Sequence, residues 1–205
     1  MKEQIQYWKG KPGKEYTVRN FKTNLSGWDS FYKDTWGYTR IEMNELFIGS
    51  LPKDIKILEV GCNLGMQLTG LQRMGFTNLY GIDLQDTYTF PGTNIIKASA
   101  YDIPFKDGFF DLVFTSGLLI HISPEDLHIV MSEIYRCTNK FIWGFEYYSD
   151  SIEKINYRGK DNLLWKADYA RIFMDEFSDL KLDKKFQFMY KNDTSKEDSM
   201  YLLKK

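Results

Sequence analysis

Two neighbouring stretches of the sequence carry residues that could hold a polar ligand. The apolar run 55–60 contains Glu59 and is followed by Gly61 and Gly65, before a segment with helical character. Glycine lets the backbone approach a ligand closely, and the start of a helix offers free N–H groups. The next strand-like run, 78–83, ends in Asp83. Its separation along the sequence from the glycine turn is that of the carboxylate that binds a ribose in nucleotide-binding βαβ units. The pattern predicts a nucleotide-like ligand across two strand ends.

Alternating strands and helices must position these residues. The predicted strands are 55–60, 79–83, 94–98, 109–115 and 140–145, followed by a closing hairpin of 185–190 and 199–203. The predicted helices are 65–74, 124–136 and 166–177, and 147–162 reads as a long loop. Strands joined mostly by helices indicate an α/β fold, a doubly wound Rossmann-like sheet of seven strands with an antiparallel C-terminal edge hairpin.

Residues 1–50 precede the first strand and are rich in aromatic side chains. Gly10, Pro12 and Gly13 predict a loop over 9–14, whereas Thr39 with Glu42 three residues later predicts a capped helix from residue 39. We interpret 1–50 as an N-terminal helical and aromatic lid, and 51–205 as the core of a single domain. A helical lobe that only packs on the sheet is the alternative.

Composition limits the classes of partner. The 205 residues include 27 basic and 28 acidic side chains, which disfavours nucleic acid and acidic membranes as partners. The two cysteines give neither a disulfide framework nor a zinc pattern, and no stretch approaches the ~20 apolar residues of a membrane span. We expect a cytoplasmic protein that acts on a small molecule without a metal ion.

The region 55–145 resembles the class I S-adenosylmethionine-dependent methyltransferases. The motifs that carry the resemblance are Glu59-x-Gly61-x-x-x-Gly65, Asp83, Pro104-Phe105 and Phe110-Asp111-Leu112-Val113 followed by Gly117 and His121. Almost the whole chain is similar to the methylases associated with pseudaminic acid biosynthesis. The segments concerned are Tyr7-Trp8, Glu15–Asn20, Thr39–Met43, Leu118–Ile122, Tyr135–Cys137, Glu146–Tyr148 and Tyr157–Gly159.

The resemblance implies S-adenosylmethionine as cofactor, S-adenosylhomocysteine as product, and a set of cofactor-binding residues. Asp83 would accept hydrogen bonds from the ribose hydroxyls, and Leu84 would pack on the adenine. The family often has an acid where this chain has Ser99, so the backbone would carry more of the adenine recognition, and the shortened segment 84–93 departs from the usual helix. The other implied residues are Glu59, Gly61, Asn63, Gly65, Thr115 and Gly117 around the methionine part, Ala100 and Tyr101 beside the adenine, and Arg40, which could reach the cofactor's carboxylate from the lid.

His121 and Glu146 are the candidate catalytic residues. An imidazole titrates near neutrality and suits proton transfer, although histidine is frequent at this position in the family without acting as a base. Glu146 follows the fifth strand and could equally form an ordinary ion pair. The loop 146–162 would line the acceptor pocket, and the predicted substrate-binding residues are Tyr16, Arg19, Asn20, Tyr147, Tyr148, Tyr157 and Arg158.

The function predicted is transfer of a methyl group from S-adenosylmethionine to an oxygen or nitrogen of a small polar acceptor. The acceptor that the resemblance favours is a nonulosonic-acid sugar or its precursor, and an unrelated small amine or carboxylate is the alternative. A catalytically silent domain of the same fold, which binds the cofactor or a partner, also stays open. A nicotinamide dehydrogenase is disfavoured because the third glycine of its fingerprint is missing.

Overall fold

A seven-stranded sheet positions the predicted ligand site. The computed structural model describes residues 3–21, 25–85 and 91–205, apart from the side chains of 20, 21, 25 and 26. The strands are β1 Lys56–Val60, β2 Asn78–Asp83, β3 Thr93–Lys97, β4 Phe110–Ser116, β5 Thr138–Tyr147, β6 Glu153–Lys154, β7 Trp165–Lys166, β8 Lys181–Tyr190 and β9 Asp193–Lys204. The helices are α1 Glu3–Lys9, α2 Lys11–Phe21, α3 Leu25–Trp36, α4 Arg40–Ile48, α5 Met66–Arg73, α6 Pro124–Cys137 and α7 Tyr169–Glu176, with a 3₁₀ turn over Leu119–His121.

The strand order of the large sheet is β3-β2-β1-β4-β5-β9-β8. The first five strands are parallel, and β9 and β8 add an antiparallel edge. This confirms the predicted seven-stranded, doubly wound sheet with its C-terminal hairpin. The chain moves outward from β1 to β3 and then returns to β4, so a switch point lies between β1 and β4, where ligands bind in such folds.

Helices cover both faces of the sheet. One apolar core joins α6 and α7 to the sheet through side chains such as Met131 and Phe173. A second core, on the other face, contains side chains of α3, α4 and α5, among them Trp28, Met43 and Leu68. Strand β4 runs between the two cores, and its near-continuous apolar sequence is what burial on both faces requires.

The N-terminal segment is more helical than the sequence suggested. The predicted loop over 9–14 is wrong, since α2 begins at Lys11 and contains both Pro12 and Gly13. Proline is tolerated in the first turn of a helix because its missing N–H would have no partner there. The predicted capping box is confirmed: the Thr39 hydroxyl accepts from the Glu42 backbone N–H, and the Glu42 carboxylate accepts from the Thr39 backbone N–H.

The C-terminal third differs from prediction mainly in its boundaries. The long loop contains the short antiparallel pair β6 and β7, and α7 begins at Tyr169 rather than 166, with Asp168 as its N-cap. The final hairpin turns at 191–192, so β9 starts at Asp193 and is much longer than predicted. None of the helices in the ranges described above is long and apolar enough to cross a membrane.

Arg136, near the end of α6, fixes the segment that follows β3. Its guanidinium donates to the backbone carbonyls of Ile103 at 2.9 Å and Phe105 at 2.7 Å. It also pairs with Asp107 and Glu133, each at 2.8 Å. This planar fork of donors holds the turn after β3 against α6.

Candidate active site

The turn after β1 has the backbone geometry that the two glycines predicted. Gly61 and Gly65 have φ of +77° and +69°, and Asn63 between them has φ of +43°. A Cβ on Gly61 would lie 2.7 Å from Leu118 Cδ1, so the Leu118 side chain would have to move to admit a larger residue at this position. The N–H groups of Gly61 and Cys62 both donate to the Ile82 carbonyl, which joins the turn to the end of β2. The turn is therefore held close to Asp83.

The Asp83 carboxylate is fixed between the ends of β1 and β2. Oδ2 accepts from the Asn63 backbone N–H at 2.8 Å, and Oδ1 accepts from the Gln85 backbone N–H at 2.8 Å. Burial raises the pKa of Asp83, and these hydrogen bonds act in the opposite direction. Each oxygen keeps acceptor capacity, so the carboxylate can receive two hydroxyl groups of a ligand.

Glu59 places a second carboxylate inside β1. The side chain is buried, and its Oε2 has no hydrogen-bond partner in the described structure. Burial raises the pKa of Glu59 well above its usual value, and the nearby charge of Arg40 lowers it. Glu59 lines the cavity described next, so a donor group of a ligand would satisfy this oxygen.

A cavity of about 1040 Å³ opens at the carboxyl edge of the sheet. Thirteen of the predicted site residues line it: Glu59, Gly61, Asn63, Asp83, Leu84, Ser99, Ala100, Tyr101, Gly117, His121, Tyr16, Tyr147 and Tyr157. Ligand cavities in proteins commonly measure roughly 300–1,000 Å³, so this one has room for a cofactor and a second small molecule. The turn after β3 forms one wall, where the Ser99 hydroxyl oxygen accepts from the Tyr101 N–H at 3.2 Å.

Helices α1–α3 form the wall opposite the sheet. The Thr17 hydroxyl donates to Asn63 Oδ1 at 3.0 Å, which joins α2 to the glycine turn. The Gln4 side-chain amide donates to the Asn162 carbonyl at 3.1 Å, which joins α1 to the long C-terminal loop. All three helices contribute lining residues, including Trp8, Tyr16 and Tyr32. The N-terminal segment therefore contributes one wall of the cavity.

His121 follows β4 and lies with its ring against the cavity. Its Nδ1 is 2.7 Å from the Leu163 carbonyl oxygen. A carbonyl can only accept, so Nδ1 carries the proton and Nε2 keeps a lone pair. Burial lowers the pKa of His121 to about 4, and the hydrogen bond to Leu163 acts against that. The imidazole is therefore neutral at physiological pH, with Nε2 as its acceptor nitrogen, and it is a weaker base than the imidazole with a near-neutral pKa that the sequence led us to expect.

Glu146 lies beneath the chain that carries His121 and does not line the cavity. Its carboxylate accepts from the backbone N–H groups of Leu118 at 3.2 Å and Ile120 at 3.4 Å. Burial raises the pKa of Glu146 to about 7, whereas these hydrogen bonds lower it. Glu146 therefore holds the backbone at the start of the 3₁₀ turn and does not reach the cavity, where the sequence placed it.

Arg40 is also placed differently from the prediction. Its side chain is fully buried, donates to Asn44 Oδ1 at 2.9 Å, and lies 4.6 Å from the centre of the Phe145 ring. Burial lowers the pKa of Arg40, and the charges of Glu59 and Glu146 raise it. The guanidinium lies behind the aromatic wall, where it does not line the cavity and balances the two buried carboxylates.

Five further predicted residues lie outside the cavity lining: Gly65, Thr115, Arg19, Tyr148 and Arg158. Gly65 is the N-cap residue of α5, and Thr115 is buried inside β4. Arg19 and Arg158 are exposed, and the Tyr148 hydroxyl donates to Asp150 instead. The Asn20 side chain and residues 86–90 of the shortened segment lie outside the part of the chain that is described.

Several lining residues were not predicted, notably Gln67, Trp36, Tyr190 and Asp198. Gln67 on α5 donates to the Tyr32 hydroxyl at 3.1 Å, and its Oε1 is buried with no hydrogen-bond partner among the described atoms. Tyr190 and Asp198 come from β8 and β9, and only the position of β9 beside β5 brings them to this edge. No local pattern in the sequence could have placed them there.

Residues 58–140 match a family model described as a methyltransferase domain. An alignment of 100 positions, which covers 43% of the chain, is 26% identical to an uncharacterized protein of Haemophilus influenzae. The match spans 40% of that relative's length.

Solved structures share the fold across nearly the whole chain. The PH0226 protein of Pyrococcus horikoshii is 13% identical, with a TM-score of 0.64 over 93% of this chain and 98% of that one. The 1,6-didemethyltoxoflavin-N1-methyltransferase of Burkholderia thailandensis, solved with its acceptor and S-adenosylhomocysteine, is 10% identical, with a TM-score of 0.67 over 94% of this chain and 88% of that one. The cyclase SpnF is 11% identical, with a TM-score of 0.68 over 94% of each chain.

The fold and the domain match define the class: the chain has the fold of class I S-adenosylmethionine-dependent methyltransferases, and residues 58–140 match the model of a methyltransferase domain, a kind of enzyme domain whose cofactor is S-adenosylmethionine. The site's own geometry fits this cofactor. The Asp83 carboxylate can accept from a ribose, the turn at Gly61 leaves room for close backbone approach, and the unpartnered Glu59 Oε2 offers an acceptor to an amino group.

Proposed function

We propose that the protein transfers a methyl group from S-adenosylmethionine to an oxygen or nitrogen of a small polar acceptor. The observation that carries the proposal is the Asp83 carboxylate, held by the Asn63 N–H at one end of a cavity that continues past the glycine turn to His121. Such a cavity suits two ligands lying end to end. We place this activity in the cytoplasm, as the composition favours.

In the proposed complex, Asp83 holds the ribose, Leu84 and residues 99–101 surround the adenine, and Gly61, Asn63 and Gly117 lie along the methionine part. When bound, S-adenosylmethionine supplies a methyl group on a cationic sulfur, which a nucleophile displaces in line: the new bond forms to the methyl carbon, and sulfur keeps the electron pair of the broken bond. The protein orients the two reactants and excludes water.

His121 is the proposed proton acceptor. Its Nδ1–H is committed to the Leu163 carbonyl, so Nε2 is free to take a proton that the acceptor loses. Glu146 supports this role by holding the backbone N–H groups of 118 and 120, which set the position of the histidine. Helices α1–α3 act as the lid that keeps the site dry.

The finer proposal concerns the acceptor. The sequence resemblance favours a nonulosonic-acid sugar or its precursor, and Tyr16, Tyr147 and Tyr157 supply hydroxyl groups and ring faces that suit a polar molecule. A catalytically silent or otherwise reactive protein of the same fold is the second candidate. Its support is the similarity to SpnF, which is a [4+2]-cyclase with the same architecture.

Calorimetry with S-adenosylmethionine, S-adenosylhomocysteine and NAD tests cofactor binding. We expect both adenosyl ligands to bind, and Asp83→Asn to weaken them by about 1–3 kcal/mol, because charge-assisted hydrogen bonds are lost. Asp54→Asn is the matched control, since Asp54 is an exposed acid just before β1, at the other edge of the sheet. Tight binding of NAD without a response to the adenosyl ligands would overturn the proposal.

A further inference from the structure

A network of hydroxyl groups and a carboxylate lines the cavity on the side of β5 and β9. Tyr147 on β5 and Asp198 on β9 are register partners in adjacent antiparallel strands. The Tyr190 hydroxyl donates to Asp198 Oδ2 at 3.0 Å, and it is also hydrogen-bonded to the Tyr147 hydroxyl. All three residues line the cavity, and Asp198 is only 1% exposed.

The sheet order separates this network from the cofactor residues. Asp83 ends β2, and Asp198 lies on β9, with β1, β4 and β5 between them. Neighbouring strands are about 4.8 Å apart, so four strand spacings separate the two carboxylates by about 19 Å. The turn at Gly61 is about 14 Å from β9 on the same scale. Asp198 therefore lies beyond the proposed methionine site, where the acceptor would bind.

The charge of the cavity favours a cationic partner at this end. Its acidic lining residues are Glu59, Asp83 and Asp198, and no lysine or arginine lines it within the described ranges. When the cofactor is bound, Glu59 and Asp83 would contact it, so Asp198 is the acid that remains for the acceptor. Burial raises the pKa of Asp198 to about 7, with the Tyr190 hydrogen bond and the charge of Lys166 acting against it and the charge of Glu146 adding to it. A bound cation would favour the ionised carboxylate.

Aromatic rings surround the same network. The Trp36 ring lies 5.3 Å from that of Tyr190 and 5.4 Å from that of Phe145, measured between centroids. Ring faces attract ammonium groups, and the attraction grows when water is excluded. An acid with adjacent hydroxyls, enclosed by aromatic rings, matches the chemistry of an amine.

We propose that Asp198, Tyr190 and Tyr147 form the acceptor-binding end of the cavity, and that they select an acceptor bearing an amino group over one bearing a carboxylate. This inference rests on the proposed function, since the rest of the cavity is assigned there to the cofactor. Among the acceptors that the sequence left open, it favours the small amine over the small carboxylate, and an amino-bearing sugar precursor over the nonulosonic acid itself.

Binding of matched probes tests the assignment. Phenethylamine, phenethyl alcohol and hydrocinnamate share a ring and a two-carbon linker and differ in the terminal group. Binding of each is measured by ligand-observed NMR to the protein saturated with S-adenosylhomocysteine. We expect phenethylamine to bind at least tenfold more tightly than hydrocinnamate, and Asp198→Asn to remove that preference, since the charge-assisted bond is lost.

Two further variants control for misfolding. Tyr190→Phe keeps the ring and removes only the hydroxyl, so we expect phenethylamine to bind several-fold more weakly to it. Asp183→Asn removes an exposed acid on β8 and should change nothing. Both variants, and Asp198→Asn, should bind S-adenosylhomocysteine as the wild type does.

Equal binding of hydrocinnamate, no binding of phenethylamine at millimolar concentration, or unchanged amine binding in Asp198→Asn would each overturn this inference. Failure of the wild type to bind S-adenosylhomocysteine would instead overturn the proposed function. The two failures are therefore distinguished in one set of titrations.

Discussion

The Trp8 ring in α1 lies 4.5 Å, centroid to centroid, from the imidazole of His121. The same indole lies 6.2 Å from the Tyr157 ring of the long C-terminal loop. The backbone carbonyl of Trp8 accepts a hydrogen bond from the side chain of Gln85, just past β2. One residue of the N-terminal segment thus touches three parts of the cavity rim. This contact is what makes the N-terminal segment a candidate lid.

Trp8→Ala should therefore weaken closure over the cavity. Each aromatic contact contributes about 0.5–1.5 kcal/mol, so losing those to His121 and Tyr157 should speed the dissociation of S-adenosylhomocysteine by about tenfold in stopped-flow measurements. Val18→Ala is the control, because Val18 lies in the same segment but is 64% exposed. Identical dissociation rates for wild type and Trp8→Ala would show that the Trp8 contacts do not hold the N-terminal segment over the bound ligand.

His121 should make stability depend on pH in a defined direction. The folded pKa is about 4, below the value of about 6.5 in an unfolded chain, so between these values the unfolded state binds more protons. The neutral imidazole makes its full contribution to the free energy of unfolding above pH 6.5. That contribution falls by about 3 kcal/mol as the pH drops towards 4. The free energy of unfolding of the wild type minus that of His121→Gln should follow this curve.

Subtracting the variant removes the titrations of Glu146 and Asp198, whose raised pKa values of about 7 act in the opposite direction. Nitrogen NMR chemical shifts should show Nδ1 protonated and Nε2 unprotonated near neutrality. The assignment of a buried, neutral His121 is contradicted if the difference between the two free energies of unfolding does not change between pH 4 and 7. Protonation at Nε2 would contradict it as well.

Gly61→Ala should impair both stability and cofactor binding. The position has a φ of +77°, and the added methyl carbon would lie 2.7 Å from Leu118 Cδ1. Gly159→Ala is a matched control, since its φ is +79° but nothing lies within 4 Å of the added carbon. We expect Gly159→Ala to show backbone strain alone, about 1 kcal/mol, and Gly61→Ala to exceed it and to lose affinity for S-adenosylhomocysteine. Equal losses of stability in the two variants, with affinity unchanged, would mean that the Leu118 side chain moves aside at no cost.

Arg136→Ala should lower the free energy of unfolding by about 2–3 kcal/mol, because two backbone carbonyls and the partly buried Glu133 lose a charged donor. Arg171→Ala removes an ion pair with Asp175 in which both side chains are at least 70% exposed, and should cost less than about 0.5 kcal/mol. Urea denaturation measures both. A loss for Arg136→Ala as small as that for Arg171→Ala would contradict the proposed fixing of the turn after β3.

The features readable from sequence are those that local chemistry determines. Apolar runs ending in Gly61 and Asp83 predicted two strand ends and their shared edge, and Thr39 with Glu42 predicted a helix start. The prediction over 9–14 was wrong because glycine and proline occur both in loops and in the first turns of helices, so the local sequence does not distinguish a loop from the start of α2.

The acceptor end was hidden for a different reason. Asp198 and Tyr190 reach the cavity through the pairing of β9 with β5, which joins residues far apart in the chain. Arg40 is a comparable case, since its position in the lid suggested a cation that could reach the cofactor's carboxylate, whereas the fold buries it against Phe145. Long-range pairing and burial of this kind leave no local pattern.

The most direct test of the central claim is transfer of a labelled methyl group. The protein is incubated with S-adenosylmethionine labelled on the methyl carbon and a small-molecule extract of the cells it comes from, and label is followed into new products. We predict labelled small molecules in step with S-adenosylhomocysteine, and their loss in Asp83→Asn at low cofactor concentration. Cofactor binding with no label leaving it in any fraction would contradict the account and indicate a silent domain of this fold.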